Sequence, residues 1–442
     1  MSDSNERFSD ELRALLIGQS AALPTTSVGR FGKLAWSALR GGALFRKLSK
    51  NQGEALGDPA ALAKLVTSIG AMKGLAMKSA QLMSYVDIAL PDELRDALAV
   101  LQTHAQPMEF DEVVAILSDE LRAEAFDLLP AIERTPVAAA SIGQVHRATL
   151  PDGTKVAVKV QYREIRRAIE SDFGPAKIGT FFASLLFPNA RVDSFIAEAR
   201  QRFLDECDYR KEARAQRRFA ALFAGDPMIE VPEVFDRYCS EHVLVTRWID
   251  GATFEQLLLS EPDQERRDAI GCALFDFYVS TLFTHGLYNC DPHPGNYLFL
   301  DDGRIAILDY GCTRAFDTIF IEKLRELTLA VHSDERGAIH DAMRAFGIVR
   351  DDKRYDYELA RGLFRAFFGP TLRDEVAAID LGSGMTFTEL TRSKQKMLQL
   401  ALPGEFLFLF RIRFGLFSIL ARLGTRANWY RLERQALDAA SR

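Results

Sequence analysis

The sequence predicts an α+β fold, in which a strand-containing segment lies between a helical N-terminal region and a largely helical C-terminal region. Two pairs of short apolar runs carry the strand prediction. One pair is joined by Pro-Asp-Gly within 138–159, and the other is joined by Asp-Asp-Gly within 297–308. Asp-Gly between short apolar runs is typical of a β-hairpin. The longer apolar segments at 270–290 and 406–420 indicate buried helices.

Composition indicates an ordinary globular protein. The 442 residues are 48% hydrophobic and 26% charged, so the chain can bury a large core and divide into two or three lobes. Its net charge of −6 argues against nucleic acid as the main partner. The sequence carries no signal for an oligomeric state.

The five cysteines show no C-x-x-C spacing, so the sequence predicts neither a zinc site nor a disulfide framework. They fit reduced thiols in a cytosolic setting. Cys290 and Cys312 flank the candidate catalytic residues described below. Either could be a reactive thiol or a small buried side chain, and the second is the preferred interpretation.

Neither secretion nor a membrane-spanning helix is expected. The first 11 residues are polar and acidic, unlike a signal peptide. The apolar segment at 406–420 carries Arg411 and Arg413, which a bilayer centre would disfavour. The segment 28–51, in contrast, has six basic residues, no acidic one, and interleaved aromatic and aliphatic side chains. It suits either an anionic membrane surface or docking on the rest of the protein. The expected location is cytoplasmic, with peripheral contact at the inner face of the membrane under the first alternative.

The stretch Asp291-Pro-His-Pro-Gly-Asn296, followed by Asp309-Tyr-Gly, is the footprint of a phosphotransfer site. One carboxylate can orient or deprotonate an attacking hydroxyl, while an Asn oxygen and a second carboxylate hold Mg²⁺ against nucleotide phosphates. A hairpin between Asn296 and Asp309 would bring these two close together. We therefore predict that Asp291 is catalytic and that Asn296 and Asp309 bind the metal. His293 is either a hydrogen-bonding strut of the loop or a side chain that points at the substrate, and we predict the strut.

A second motif lies upstream, where an alanine-rich run precedes a strand that carries Lys159. A lysine on an apolar strand needs a carboxylate or phosphate partner, and in protein kinases the Val-Ala-Ile-Lys lysine has this position. Alanines stand at two of the three positions that are glycine in a kinase glycine-rich loop, which predicts a phosphate cradle that is stiffer or differently shaped. The predicted nucleotide-binding residues are Ala138, Ala139, Ala140, Ser141, Gly143, Val145 and Lys159.

Together these motifs resemble the UbiB/ABC1/AarF family of atypical kinase-like proteins, which includes the Coq8/ADCK proteins and is tied to ubiquinone and other isoprenoid-lipid metabolism. Three further stretches share the resemblance: Lys78-Ser-Ala-Gln81, Glu206-Cys-Asp208 with Glu212 after it, and the region 402–430. The resemblance runs from about residue 28 to 430. It implies a protein-kinase-like two-lobed fold with an N-terminal helical extension.

The resemblance also implies roles for individual residues. Lys159 would contact nucleotide phosphates and pair with Glu212. Lys78 and Gln81 would reach into the place where a protein kinase receives its peptide, with Glu206 as the partner of Lys78 and Asp208 in the same regulatory motif. The cofactors would be ATP and Mg²⁺. The activity would be ATP hydrolysis that responds to an isoprenoid lipid or a quinone precursor.

This chain departs from the family pattern at two positions. Ala80 replaces the glycine of the K-x-G-Q motif, and Asn289 replaces the histidine two residues before the catalytic aspartate. Because that histidine orients the catalytic loop, the replacement puts the rigidity of the loop in question.

Two other functions compete with the atypical kinase. Asp-x-His-x-Gly-Asn also resembles the loop of aminoglycoside and choline phosphotransferases, so a small-molecule kinase is one. A non-catalytic nucleotide-binding scaffold is the other. The alanine-rich run disfavours the first, and the full set of catalytic residue types disfavours the second.

The predicted organisation has four parts. Residues 1–27 form a tail and 28–106 a helical extension with the Lys78 motif. Residues 107–250 form the nucleotide lobe, with a helical insertion before Glu212, and 251–442 form the C-terminal lobe.

Overall fold

The structure is a computed structural model, which describes residues 108–140, 142–163, 207–349, 355–380 and 404–440. The predictions for Lys78, Gln81, Ser141 and Glu206, for the segment 28–51 and for the helical insertion lie outside these residues. The chain divides into two compact units. The first comprises 1–116, 133–146 and 159–207, and the second comprises 117–132, 147–158 and 208–442. The domain boundaries predicted from the sequence stay predictions.

The alanine-rich run and the Lys159 segment form strands, as predicted. Strands β1 (Ala138–Ala140), β2 (Gly143–Thr149), β3 (Lys155–Gln161) and β5 (Val243–Arg247) form a sheet in that order. Strand β5 ends three residues before Asp250. The short strand β4 (Ile229–Glu230) lies between β3 and β5 in the chain but belongs to a different sheet.

In the first unit, two buried polar side chains of β2 hold the chain ahead of helix α1 (Phe110–Leu121). The side-chain oxygen of Gln144 accepts a hydrogen bond of 2.8 Å from the Met108 N–H, and its nitrogen lies 2.8 Å from His146 Nε2. The other ring nitrogen of His146 bonds the carbonyl oxygen of Glu133 at 2.7 Å. Burial lowers the pKa of His146, although the bond to Glu133 opposes this. These bonds satisfy polar groups that burial would otherwise penalise.

The second unit contains the predicted hairpin at 297–308. Strands β7 (Tyr297–Phe299) and β8 (Ile305–Ile307) pair in antiparallel register, and β4 adds to β8 in parallel. Strands β6 (Leu287–Asn289) and β9 (Thr313–Ala315) form a separate antiparallel pair. The candidate catalytic residues follow β6 and precede β9.

Helices form most of the rest of this unit. Their bounds are α2 Ala125–Leu128, α3 Tyr209–Leu222, α4 Phe254–Leu259, α5 Gln264–His285, α6 Thr318–Ser333, α7 Arg336–Ala345, α8 Tyr357–Phe368, α9 Gly404–Leu423 and α10 Trp429–Ala439. The short strands β10 (Ala377–Ala378) and β11 (Arg426–Ala427) pair near the end. The apolar segment 406–420 lies within α9, as predicted. The segment 270–290 is helical only to His285, in α5, because Gly286 ends the helix and the residues after it form β6. No helix in the described part of the chain has the length and apolar character needed to cross a membrane.

Helix α5 ends at Gly286, which adopts the left-handed conformation with a φ of 58°. A β-carbon here would lie 2.8 Å from the carbonyl oxygen of Phe316, so a side chain would meet both strain and a clash. The backbone N–H of Phe316 also donates to the carbonyl oxygen of Gly286 at 2.7 Å. This tight turn sets the start of β6, and thus the position of the loop after it.

A buried charged cluster joins α6, α9 and α10 in the core of the second unit. The Arg413 guanidinium donates to one Glu433 oxygen at 2.6 Å, and His332 Nε2 bonds the other at 2.9 Å. Burial by itself would raise the pKa of Glu433, but Arg413 and His332 together hold it at about 2. Arg413 therefore lies in the core, as predicted for this apolar segment, with its charge balanced by Glu433.

Candidate active site

The amide of Asn296 holds the Asp291 side chain in place. Its Nδ2 donates a 3.0 Å hydrogen bond to the backbone carbonyl oxygen of Asp291 and another of 3.0 Å to Asp291 Oδ2. Both partners are acceptors, which defines the orientation of the amide. The Asn296 amide oxygen takes part in neither bond and is therefore the atom available for a metal ion.

The hairpin β7–β8 brings Asn296 and Asp309 to the same end. The register pairs Tyr297 with Ile307, and the Leu308 N–H donates to the Asn296 carbonyl oxygen at 2.9 Å. Asp309 is the next residue, and its Oδ1 accepts a 2.9 Å bond from the Gly311 N–H. The two residues predicted to bind Mg²⁺ are thus neighbours because strand pairing continues one residue beyond the hairpin.

Asn289 connects the two candidate catalytic segments. Its Nδ2 donates to the Asp309 carbonyl oxygen at 2.8 Å, and its Oδ1 accepts from the Asp291 N–H at 3.1 Å. The side chain is buried, with 2% of its surface exposed. The sequence raised a question about loop rigidity at this position, but the structure gives Asn289 one bond to each segment. An amide can do this because it carries both a donor and an acceptor.

Glu212 lies beside the Asp309-Tyr-Gly segment. It is buried on α3, and a β-carbon on Gly311 would lie 3.2 Å from Glu212 Oε2 and 3.3 Å from Asp309 Oδ1. The ring of Phe219, also on α3, lies 5.0 Å from that of Tyr310. Glu212 is therefore not on the exposed face of the charged helix α3. Its carboxylate is next to the segment that carries Asp309.

Asp208, which the resemblance linked to regulation, begins α3. Its side chain accepts a 3.0 Å hydrogen bond from the Arg210 N–H, which is the bond of a helix N-cap. This bond satisfies one of the open N–H groups at the helix start, so Asp208 contributes to the position of Glu212 one turn later.

In the first unit, the alanine-rich run is a β-hairpin and not an open loop. Ala138, Ala139 and Ala140 pair with Val145, Gln144 and Gly143, respectively. A β-carbon on Gly143 would lie 2.2 Å from the Val160 carbonyl oxygen. Close packing of two backbones therefore requires this glycine. Lys159 lies half-buried on β3.

Several structural residues were not identified from sequence. Gln144 and His146 are buried polar residues of β2, and their alternation with Gly143 and Val145 was the available signal. His293 behaves as the predicted strut, because its Nδ1 accepts a 3.1 Å bond from the Gly295 N–H. Nothing in the local sequence indicated the Arg413–Glu433 pair.

Comparisons with known proteins identify the family of this chain. The ABC1 atypical kinase-like domain matches residues 100–343, more than half of the chain. The chain belongs to the ABC1 atypical kinase-like family. The match contains the alanine-rich hairpin, Glu212 and the whole segment from Asp291 to Asp309.

Two of its relatives are mitochondrial atypical kinases. COQ8 of Saccharomyces cerevisiae is 35% identical over 280 residues, which is 62% of this chain and 55% of that protein. The coq-8 protein of Caenorhabditis elegans is 28% identical over 363 residues, which is 76% of this chain and 47% of that protein. AarF domain-containing protein kinase 1 of Mus musculus is 30% identical over 246 residues, or 54% and 47% of the two chains. This ABC1-family chain spans about half the length of these relatives.

A solved structure is also similar, that of Rv3197 from Mycobacterium tuberculosis in complex with erythromycin. The TM-score is 0.59 at 25% identity, over 82% of this chain and 92% of the other. Together with the family match, this similarity confirms the predicted α+β, protein-kinase-like fold and the predicted family.

Proposed function

We propose that this ABC1-family chain binds Mg-ATP and turns it over as an atypical kinase or ATPase in ubiquinone or other isoprenoid-lipid metabolism. One observation carries the proposal. Asn296 holds Asp291 through two hydrogen bonds of 3.0 Å and lies at the end of the hairpin next to Asp309. A positioned carboxylate beside two oxygen-bearing side chains is what phosphoryl transfer requires of a protein.

The residues present fit Mg²⁺. The Asn296 amide oxygen and the Asp309 carboxylate are hard oxygen ligands, which this ion prefers. Among the described residues, no group of three or more His, Cys, Asp or Glu side chains could hold a metal. The ion would therefore complete its shell with phosphate oxygens and water, as Mg²⁺ commonly does. When bound, it would neutralise charge on the phosphates.

Asp291 is the proposed base or orienting group for the attacking hydroxyl. The hydrogen bond from Asn296 to Oδ2 fixes the rotamer of this carboxylate, and the bond from its own N–H to Asn289 fixes its backbone. A base that is already positioned avoids the entropy cost of reaching its partner in each turnover.

The proposed nucleotide contacts are Lys159 and the hairpin β1–β2, with Glu212 as the partner of Lys159, as the family resemblance implies. The adenine would lie near 248–251, after β5. Gly251 itself packs closely against β7, since a β-carbon there would be 3.1 Å from Leu298 Cβ. An isoprenoid lipid or a quinone precursor is the proposed effector or acceptor, and contact of 28–51 with a membrane surface stays part of the proposal.

The test is release of phosphate from Mg-ATP by the full chain, with and without anionic liposomes and a phenol that resembles a quinone precursor. Asp309→Asn should abolish release because it removes an anionic ligand from the metal site. Asp301→Asn is the matched control, since Asp301 is an exposed carboxylate in the turn of the same hairpin. Calorimetric titration with ATP measures binding separately from turnover.

Release that needs Asp309 but not Asp301 would support the proposal. Equal release in all three proteins would contradict the metal assignment. ATP binding without release under any condition would favour a scaffold. Phosphate transfer to choline or an aminoglycoside added to the same reaction would favour the small-molecule kinase.

A further inference from the structure

Two cysteines lie opposite each other at the active site. The register of β6 and β9 pairs Asn289 with Thr313, so the next pair along the strands is Cys290 and Cys312. The Cys290 N–H donates a 2.7 Å hydrogen bond to the Cys312 carbonyl oxygen, which shows that the pairing continues to this point. Both are present as thiols. One directly precedes Asp291, and the other directly follows Gly311.

This arrangement is close to what a disulfide needs. In an antiparallel pair, directly opposed residues joined by a hydrogen bond have Cα atoms about 5.5 Å apart, with both side chains on the same face. A disulfide needs Cα atoms roughly 4.4–6.8 Å apart and Cβ atoms about 3.8 Å apart. The usual Cα separation of such a pair therefore lies within the disulfide range. Opposed Cβ atoms are usually about 4.5–5.5 Å apart, so bond formation requires the strands to close by about 1 Å.

The two thiols differ in exposure. Cys290 is fully buried, and its Sγ donates to the Tyr288 carbonyl oxygen at 3.2 Å. Cys312 is only partly buried, at the edge of the hydrophobic core. A small oxidant can therefore reach Cys312 first, and Cys290 is placed to react with the product.

We propose that Cys290 and Cys312 form a reversible disulfide that switches this active site off when a peroxide is present. The Cys312 thiolate attacks one peroxide oxygen, giving a sulfenic acid and releasing the other oxygen as water. The Cys290 thiolate then attacks the Cys312 sulfur, the S–S bond forms, and the sulfenic oxygen leaves as a second water. Both sulfurs are oxidised, and one hydrogen peroxide is reduced to two waters.

The bond would act on the catalytic groups through their neighbours. Closing the strands moves Cys290, and Asp291 is bonded directly to it. It also moves the segment that ends at Gly311, whose N–H holds Asp309 Oδ1 at 2.9 Å. A displacement of about 1 Å at a catalytic group can lower a rate by about 100-fold. The effect on turnover rests on the proposed function, whereas formation of the bond does not.

The experiment treats the full chain with hydrogen peroxide and then with dithiothreitol. Bond formation is read by intact mass and by mapping peptides without reduction. Function is read by ATP turnover. Cys312→Ala and Cys290→Ala each remove one partner and should make turnover resistant to peroxide. Cys272→Ala is the matched control, because Cys272 is a partly buried thiol on α5, outside the opposed pair.

The expected result is a linked Cys290–Cys312 peptide in the wild type and in Cys272→Ala, with about 100-fold lower turnover that dithiothreitol restores. Absence of the linked peptide, under peroxide that oxidises Cys312, would overturn the proposal. A linked peptide with unchanged turnover would show that the disulfide forms but does not control turnover. If the untreated protein shows no turnover, ATP binding by calorimetry replaces it as the functional readout. In that case the proposed function fails, and the peptide map still decides whether the bond forms.

Discussion

The side-chain amide of Asn289 donates a 2.8 Å hydrogen bond to the backbone carbonyl oxygen of Asp309. The same amide accepts from the Asp291 N–H at 3.1 Å, so a single buried side chain connects the proposed base segment to the proposed metal segment. The family's histidine is absent from this position, and an asparagine makes both connections instead.

Replacement of Asn289 by alanine should lower turnover while the chain still folds. It leaves the Asp309 carbonyl and the Asp291 N–H without this partner, and each such loss costs about 1–3 kcal/mol of unfolding free energy. Asn289→His should retain part of the turnover, because an imidazole ring can donate from one nitrogen and accept at the other. Steady-state kinetics and urea unfolding of both variants measure this. Full turnover in Asn289→Ala would show that the connection is dispensable.

Gly311→Ala should lower turnover with little change in stability. The new β-carbon would lie 3.2 Å from Glu212 Oε2 and 3.3 Å from Asp309 Oδ1, so one of the two carboxylates must shift. Gly337→Ala is the matched control, because a β-carbon there meets no atom within 4 Å and helix α7 favours alanine over glycine. Equal kinetics of the two variants would show that the spacing between Glu212 and the metal segment is not critical.

Ala138→Gly should change the affinity for ATP. Ala138 lies exposed on β1 opposite Val145, and glycine at this position loosens the strand that precedes the turn of the hairpin. Ala378→Gly is a suitable control, since Ala378 is an exposed strand alanine in the pair β10–β11. Calorimetric titration with Mg-ATP measures the dissociation constant, and an unchanged value would show that this alanine does not shape the nucleotide site.

The Arg413–Glu433–His332 cluster should make the free energy of unfolding depend on pH in the acidic range. The pKa of Glu433 falls from 4.5 to about 2 on folding, despite burial, because Arg413 and His332 stabilise the carboxylate. The unfolded chain thus binds a proton at Glu433 more readily than the folded chain does. The contribution of this cluster to the free energy of unfolding is therefore complete above about pH 4.5 and is lost as the pH falls toward about 2. Its size is about 3 kcal/mol.

Denaturant unfolding at neutral and acidic pH tests this contribution. Glu433→Gln should cost about 3–5 kcal/mol at pH 7, since it leaves Arg413 buried without its counter-charge. The difference from wild type should shrink as the pH falls toward 3. Glu255→Gln is the control, because Glu255 pairs with Arg422 at the surface, where an ion pair contributes about 1 kcal/mol or less. A pH-independent difference would contradict the assigned role of Glu433.

Local sequence was sufficient for the elements that carry the site. The Asp-Gly turns predicted the hairpins of β2–β3 and β7–β8, because few residues adopt the backbone angles of such turns. Alternating and continuous apolar runs predicted β3, α5 and α9. The roles of Asp291, Asn296 and Asp309 could be proposed because these three residues lie within 19 residues of chain, at the spacing of a phosphotransfer loop.

Other features depended on contacts between distant parts of the chain. Asn289 and Asp309 are 20 residues apart, and His332 and Glu433 are 101 apart. No local pattern specifies which buried polar group will meet which partner, because packing of complete helices and strands decides it. The exposure of Glu212 was ambiguous for the same reason, since a charged helix can bury one acidic residue when the neighbouring segment leaves room at a glycine.

The sequence by itself determined the chemistry available to this protein: the carboxylates, the amide and the lysine, the order in which they occur, and the family to which the chain belongs. The tertiary structure decided how these groups are held. It oriented the Asn296 amide toward Asp291, gave Asn289 its two partners and placed Cys290 opposite Cys312. Residue types follow from the chain alone, whereas distances of about 3 Å between them arise only when strand register and helix packing bring separate segments together.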